Sequence, residues 1–279
     1  MRIISFNVNG IKSMTGKLKN GEKKGSPTHN GLVSLLEEQA PDILCLQELK
    51  TQNEGEMAWL RTHFPHVHTN LSLHKKGYSG VALLSKDEPE WVTPGFDLYD
   101  EDDIGEYHEK GWNMEGRLLT AAYKKFIVVT VYTPNSQAGL ARLEERLQWD
   151  RVFRMYVMML EKDYEIPVVI CGDLNCSFED IDIHSPNTHK GAPGFSQEER
   201  DEFELLLEAG FVDSFRTLHP DTVGYTYFSN FSRSRERGAG WRLDYVLVSA
   251  NHRDQIKEAT ILGDYFGSDH VPVQCTLHC

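Results

Sequence analysis

The chain lacks any apolar stretch long enough to span a bilayer. Runs such as Phe126–Tyr132 and Val168–Cys171 fall far short of the roughly 20 residues required, and no association with a membrane is expected. It also lacks internal repeats, low-complexity tracts and Pro/Gly/Ser linkers, so residues 1–279 are expected to form one domain with a sizeable core. No charged and apolar leader precedes the strand-like Arg2–Val8, and an intracellular protein of the cytoplasm, nucleoid or nucleus is expected. Cysteine is scarce: Cys45, Cys171, Cys176, Cys275 and Cys279 are odd in number and form no CxxC pair. Cys45 and Cys171 fall inside apolar runs, so reduced, mostly structural thiols are expected.

An excess of positive charge is missing too. The formal net charge of −13 argues, taken alone, against a polyanionic partner, because nucleic-acid binders usually carry a basic footprint. Distribution qualifies the sum. Positive charge gathers in Lys12–Lys24 and in Arg233–Arg242, while acid gathers in Asp97–Glu109 and Glu198–Glu208. Each run fits either a solvated face or a recognition surface.

Strand-like patterns are abundant, at Ile3–Val8, Ile43–Gln47, Gly80–Ser85, Leu118–Tyr123, Phe126–Tyr132, Val168–Gly172, Leu243–Ser249, Lys257–Leu262 and Val271–Leu277. Leu118–Tyr123 and Phe126–Tyr132 read as a hairpin around Lys124-Lys125. Helical periodicity is confined to Asn30–Glu38, Leu140–Lys162 and Gln197–Ala209, the last opened by Ser196 with Glu199 at capping-box spacing. Several consecutive strands have no helix between them. That excludes simple βαβ alternation and favours two packed sheets with helices outside.

Six short motifs place polar residues where strands end, the position from which a rigid scaffold presents groups to a shared cleft. They are Asn7-Val8-Asn9-Gly10, Leu46-Gln47-Glu48, Tyr132-Thr133-Pro134-Asn135, Gly172-Asp173-Leu174-Asn175, Trp241-Arg242-Leu243-Asp244-Tyr245 and Gly267-Ser268-Asp269-His270. Glu48 follows an apolar run by two residues and suits either an exposed strand end or a ligand for Mg²⁺, which takes oxygen donors and keeps several waters. Glu48 and Asp269, with an amide oxygen from Asn7, would supply such donors. Asp173 and Asn175, two apart on extended chain, point to one face and could orient a water or close an Asx turn. His270 could serve near neutral pH as acid, base or phosphate-contacting cation, given an orienting carboxylate such as Asp244.

With these motifs present together and in order from Ile3 to Leu277, the sequence resembles the exonuclease III-type AP endonucleases of the endonuclease/exonuclease/phosphatase superfamily. GDLN, WRLDY and GSDH carry most of the resemblance, joined by Gly139–Glu144, Gly194–Arg200 and Asp213-Ser214-Phe215-Arg216. The resemblance implies an α/β fold, a four-layered α/β sandwich of two central mixed β-sheets flanked by helices. It implies a Mg²⁺ ion, with Mn²⁺ as a substitute, bound by Glu48 with Asn7, and Asp269 close enough to assist. Asp173 would position or deprotonate the attacking water. Asn175, Tyr132, Asn135 and His270 would hold and neutralise the scissile phosphate, and Asp244 would pair with His270. Arg142, Arg235 and Arg237 would contact the DNA backbone. Tyr227, Phe231 and Trp241 would wall an apolar pocket for the flipped-out abasic sugar, with core packing as the other use for such aromatics.

The implied partner is double-stranded DNA carrying abasic sites, cut on their 5′ side by a monomer, with 3′–5′ exonuclease or 3′-phosphodiesterase activity compatible with the same site. A superfamily enzyme acting on another phosphate ester and a non-catalytic DNA-binding homologue are the competing readings. Two departures stand out. Asn9 occupies a position where some members carry aspartate, and Ser136-Gln137-Ala138 lacks the arginine that some members carry in that loop.

Overall fold

A computed structural model describes residues 1–14, 31–230 and 233–278. Its strands are β1 (Arg2–Asn7), β2 (Ile43–Gln47), β3 (His66–Asn70), β4 (Val81–Ser85), β5 (Trp91–Pro94) and β6 (Leu118–Tyr123). They continue with β7 (Phe126–Tyr132), β8 (Val168–Asp173), β9 (Phe211–Asp213), β10 (Asp244–Ser249), β11 (Ile256–Ile261) and β12 (Val273–Leu277). They form two six-stranded sheets, in the orders β11-β12-β1-β2-β4-β3 and β5-β6-β7-β8-β10-β9. Each is mixed: β1 runs parallel to β2, and β7 parallel to β8, among otherwise antiparallel neighbours.

The alternation of side chains along each strand builds the layers. On β1, Ile3 faces the opposite sheet while Ile4 and Phe6 face outward toward Leu32, Leu35 and Leu60. On β8, Val169 and Cys171 face inward while Val168 and Ile170 meet Trp149, Phe153 and Phe203. Three apolar layers follow, one between the sheets and one beneath the helices on each outer face. Each fully buried aliphatic side chain contributes about 1.5–3 kcal/mol. The helix Gly31–Gln39 and the 3₁₀ segment Glu54–Thr62 cover one sheet; the helices Leu143–Tyr164 and Gln197–Glu208 cover the other. This is the expected four-layered sandwich. Among the described residues, no helix is long and apolar enough to cross a membrane.

The strands that sequence patterning missed are β3, β5 and β9. His66-Val67-His68-Thr69-Asn70 has little apolar content because β3 is a sheet edge and only partly buried, and β5 is an edge strand that ends in Pro94. The three residues of β9 run directly into the helix Ser214–Leu218, capped by the Asp213 side chain. The helix expected from Leu140 begins instead at Leu143, because Gly139 (φ 67°) and Leu140 (φ 58°) take left-handed conformations that a helix cannot continue. It ends at Tyr164 on a left-handed Glu165. The hairpin about Lys124-Lys125 and the Ser196/Glu199 capping box both form.

Candidate active site

Along the inner face of the sandwich the residues change from apolar to polar as the parallel strands reach their C-terminal ends. Behind Ile3 on β1 come Ser5 and then Asn7; behind Cys45 on β2 comes Gln47, and behind Val128 on β7 come Thr130 and Tyr132. Ser5, Gln47 and Thr130 are fully buried yet satisfied, since Gln47 Nε2 donates to Ser5 Oγ and to Thr130 Oγ1, both at 3.0 Å. That network ties the two sheets together directly beneath the site. Above it, the next inward positions are Asn7, Tyr132 and Asp173.

Asn7 is the hub. Its amide nitrogen lies 3.0 Å from Glu48 Oε1, 2.9 Å from Asp173 Oδ2 and 3.4 Å from His270 Nε2. Its oxygen accepts from the Asn9 backbone N–H at 3.0 Å. In this arrangement the donor face of the Asn7 amide, rather than its oxygen, meets the two carboxylates and spaces them. Asp269, next to His270 in the chain, accepts from Asn9 Nδ2 at 2.9 Å and from Ser268 Oγ at 3.3 Å. Among the described residues, the side-chain donor atoms of Glu48, Asp173 and His270 lie within 4.8 Å of one another, which places two carboxylates where a cation could sit. Two carboxylates of this kind suit a hard divalent ion such as Mg²⁺.

Local backbone geometry fixes these side chains. Asn9, Glu48 and Asn175 all adopt left-handed φ values, of 46°, 52° and 48°, at the ends of β1, β2 and β8. Such strain costs of order 1–3 kcal/mol per residue and persists where surrounding contacts over-determine it. Here the Gly10 N–H donates to Glu48 O at 2.7 Å, and the Asn175 N–H donates to Asp173 Oδ1 at 2.9 Å. Beside Asp173, Gly172 is required by proximity: a Cβ there would sit 1.9 Å from Val131 O on the neighbouring strand.

Charge and burial set the protonation states. Burial, and then the nearby carboxylates of Asp244 and Glu48, push Asp173 up to about 7 against the opposing pull of His270. For His270 burial disfavours the charged ring, but Asp244 and Asp173 outweigh it and raise the imidazole to about 10. Desolvation would raise the half-buried Glu48, yet Lys50, 2.5 Å away, and Asn7 hold it below the usual carboxylate value. Burial and the Glu48 carboxylate keep the Tyr132 phenol well above its ordinary value, so it remains an O–H donor. Asn175 donates to Thr133 O at 2.8 Å and accepts from Asn135 at 3.1 Å, which places both amides beside Asp173.

Asp244 Oδ2 meets His270 Nδ1 at 2.8 Å, the pairing anticipated between WRLDY and GSDH. Tyr227 and Trp241, expected as pocket walls, lie side by side next to this pair. Tyr227 packs against the His270 ring at 5.0 Å and exchanges backbone bonds with Trp241, whose indole faces His189 and Phe195. A cavity of about 740 Å³ beside the site is lined by Phe228, Phe266, Asn9, Arg235, Ser268 and Asp269 among others. Phe231 lies outside the described residues, as do Lys17, Lys19, Lys23 and Lys24 of the first basic run.

Two of the arginines expected at the DNA backbone hold protein partners. Arg235 stacks on Phe266 at 3.9 Å and donates to the carbonyls of Gly263 and Tyr265, both at 2.6 Å, so it braces the cavity wall. Arg142 is engaged in a two-point pair with Glu145, at 2.9 and 2.5 Å. Arg237 is exposed. Sequence reading passed over Arg146, which is 3% exposed and reaches under the site to Pro134 O and Leu174 O at 2.8 Å and Asn175 O at 3.2 Å. The available signal was Asp150 one helical turn on, its partner at 2.8 Å. Also missed was Arg117, whose guanidinium lies over the Tyr132 ring at 4.8 Å and the Tyr78 ring at 5.2 Å.

A two-sheet sandwich that gathers carboxylates, amides and a carboxylate-paired histidine at the ends of its parallel strands defines a metal-assisted hydrolase. The chain belongs to the Endonuclease/Exonuclease/phosphatase family, whose profile matches residues 4–270, and within it to the exonuclease III-type AP endonucleases. It is 40% identical over 279 residues to the exodeoxyribonuclease of Bacillus subtilis, covering 100% of both chains. It is 40% identical over 277 residues to the DNA repair nuclease APEX1 of Danio rerio, covering 98% of this chain and 81% of that protein. Among solved structures, an AP endonuclease from Archaeoglobus fulgidus superposes with a TM-score of 0.81 at 29% identity, covering 100% of both chains. The chain is an enzyme, a nuclease of the DNA-repair type.

Proposed function

We propose that this enzyme hydrolyses the phosphodiester on the 5′ side of abasic sites in double-stranded DNA, acting as an intracellular monomer with Mg²⁺, for which Mn²⁺ can substitute. The observation that carries the reading is the contact of Asn7 with Glu48, Asp173 and His270, joined to the His270–Asp244 pair. Glu48 would hold the cation, which when bound supplies neutralisation of charge on the phosphate oxygens. Asp173, whose carboxyl burial pushes up, would position or deprotonate the attacking water. His270, kept charged by Asp244, faces the phosphate as a cation, and Tyr132, Asn135 and Asn175 donate to its oxygens. Opposing such fixed donors to developing charge is the largest contribution most enzymes make to a hydrolytic rate.

Selectivity rests on shape. A sugar without a base leaves the helix at lower cost than an intact nucleotide, and the cavity walled by Phe228 and Phe266 is where such a sugar would fit. Trp241 and Tyr227 would support it from behind. The relatives named as exodeoxyribonuclease, and a Neisseria 3′ phosphatase solved with a product DNA hairpin (TM-score 0.82, 26% identity, 100% of both chains), recommend 3′ ends as competing substrates.

The test is a single assay on end-labelled duplexes carrying an abasic analogue, an intact strand or a 3′-phosphate, with and without Mg²⁺. Metal-dependent incision at the analogue, faster than any processing of the other two, is the expected result. Equal or faster removal of the 3′-phosphate would reassign the principal activity to 3′-end cleaning.

A further inference from the structure

Leu73 is the most exposed large apolar side chain among the described residues, 73% accessible, and Met114 beside it is 47% accessible. They are neighbours because the backbone N–H groups of Leu73 and His74 both donate to Met114 O, at 2.8 and 3.0 Å. Solitary exposed leucines are ordinary, but this one stands on a loop that hydrogen bonds tie down at its base. Gln52 bonds to Lys75 O and to the Gly77 N–H, at 3.2 and 3.1 Å. Ser79 and Gly80 bond to Gly116 O, at 3.2 and 3.0 Å. The tip that projects carries His74, Lys75 and Lys76, all exposed.

The loop is fastened to the catalytic cleft. Tyr78, its last aromatic residue, and Tyr132 of the site lie over the same buried Arg117 guanidinium, which also bonds to the Tyr78 hydroxyl. The loop and the site are therefore joined through one buried guanidinium. Apolar side chains carried on rigid loops with flanking cations are the means by which proteins part base steps and bend a duplex, the cations gripping phosphates on either side.

We propose that Leu73 and Met114 form an apolar wedge that enters a groove of duplex DNA beside the scissile phosphate, with Lys75 and Lys76 on the flanking phosphates. The inference rests on the DNA-cleaving reading and adds to it a duplex-specific contact outside the cleft. Its energetic weight is the burial of one leucine and part of a methionine, worth about a tenfold change in affinity or more.

The experiment compares Leu73→Asp, Leu73→Phe and the native protein, each checked by thermal melting. Duplex and single-stranded oligonucleotides carrying the same abasic analogue are used, with 2-aminopurine in the flanking steps. Binding is followed by anisotropy and cleavage by single turnover. The wedge predicts that Leu73→Asp weakens duplex binding by about tenfold and abolishes the 2-aminopurine rise that accompanies binding. Single-strand binding and the cleavage rate of bound duplex should stay within about twofold, and Leu73→Phe should restore binding. Native affinity of Leu73→Asp for the duplex would overturn the proposal, as would an equal loss on single strands. So would a protein dimer dissolved by Leu73→Asp without change in DNA affinity, which would make this surface a contact between two copies. A native protein that binds duplex but leaves it uncut would sink the catalytic reading instead, the wedge still being decided by binding.

Discussion

Asp244 and His270, 26 residues apart in sequence, meet at 2.8 Å between Oδ2 and Nδ1, with both side chains buried. β10 and the loop before β12 bring them together, and Thr226 Oγ1 accepts from the Asp244 backbone N–H to fix the strand end. The pair predicts that Asp244→Asn lowers turnover by about 10²–10⁴ through loss of the imidazolium and its orientation, with substrate affinity little changed. Single-turnover cleavage of a saturating abasic duplex measures it. A variant that folds and cuts at the native rate would remove Asp244 from the mechanism.

Metal binding can be read without catalysis. A ligand that binds only the folded state stabilises it by about 2.7 kcal/mol at a hundred times its Kd. Added Mg²⁺ or Mn²⁺ should therefore raise the melting temperature of the native protein, and Glu48→Gln should abolish most of that rise. The same rise in Glu48→Gln would place the cation elsewhere in the molecule.

Arg146 joins stability to geometry. It is buried with Asp150, which burial pushes up to about 6 despite the arginine, and its other donors hold three carbonyls of the loops that carry Asn135 and Asn175. Arg146→Met should cost about 3–5 kcal/mol, because Asp150 is left buried without its partner. Turnover should fall as well, measured below the variant's melting transition. Loss of stability with native turnover would show that the loops hold their shape without this anchor.

The acid limb of the stability curve has a specific source. Arg242 grips Asp182 at 2.8 and 2.9 Å and Asp213 at 2.5 Å, and Arg216 adds a further bond to Asp182. Burial alone would raise the Asp182 carboxyl, but Arg242 outweighs it and the value falls below the ordinary 3.8. A depressed folded value means that the unfolded chain binds the proton more readily, so the stabilisation is complete above 3.8 and is lost as pH falls through the folded value. Urea unfolding over that range should show a steep acid loss that flattens in Asp182→Asn. An unchanged slope would assign the acid limb to other carboxylates.

How much of this was legible beforehand follows the physics of each feature. The central strands could be read because burial on both faces demands continuous apolar residues, as in Val168–Cys171, and the site motifs because polar residues interrupt that demand at strand ends. Edge strands such as β3 carry no such constraint, and their pairing with β4 comes from the sheet rather than from their own residues.

The sequence by itself determined which chemistry is available: Glu48, Asp173, Asp244 and His270 each follow or precede an apolar strand, and their order along the chain identifies the family. Only the tertiary structure decided what each group does there. Asn7 and Asp173 are 166 residues apart, and whether the amide shows the carboxylate its oxygen or its nitrogen depends on Asn9 claiming the oxygen. Arg235 reads in sequence as one more basic residue and becomes a brace only when Phe266 and the carbonyls of Gly263 and Tyr265 close around it. Long polar side chains take the partners that packing leaves within a few ångströms. Those distances exist only once two sheets, formed from distant segments, have been pressed together by the apolar residues between them.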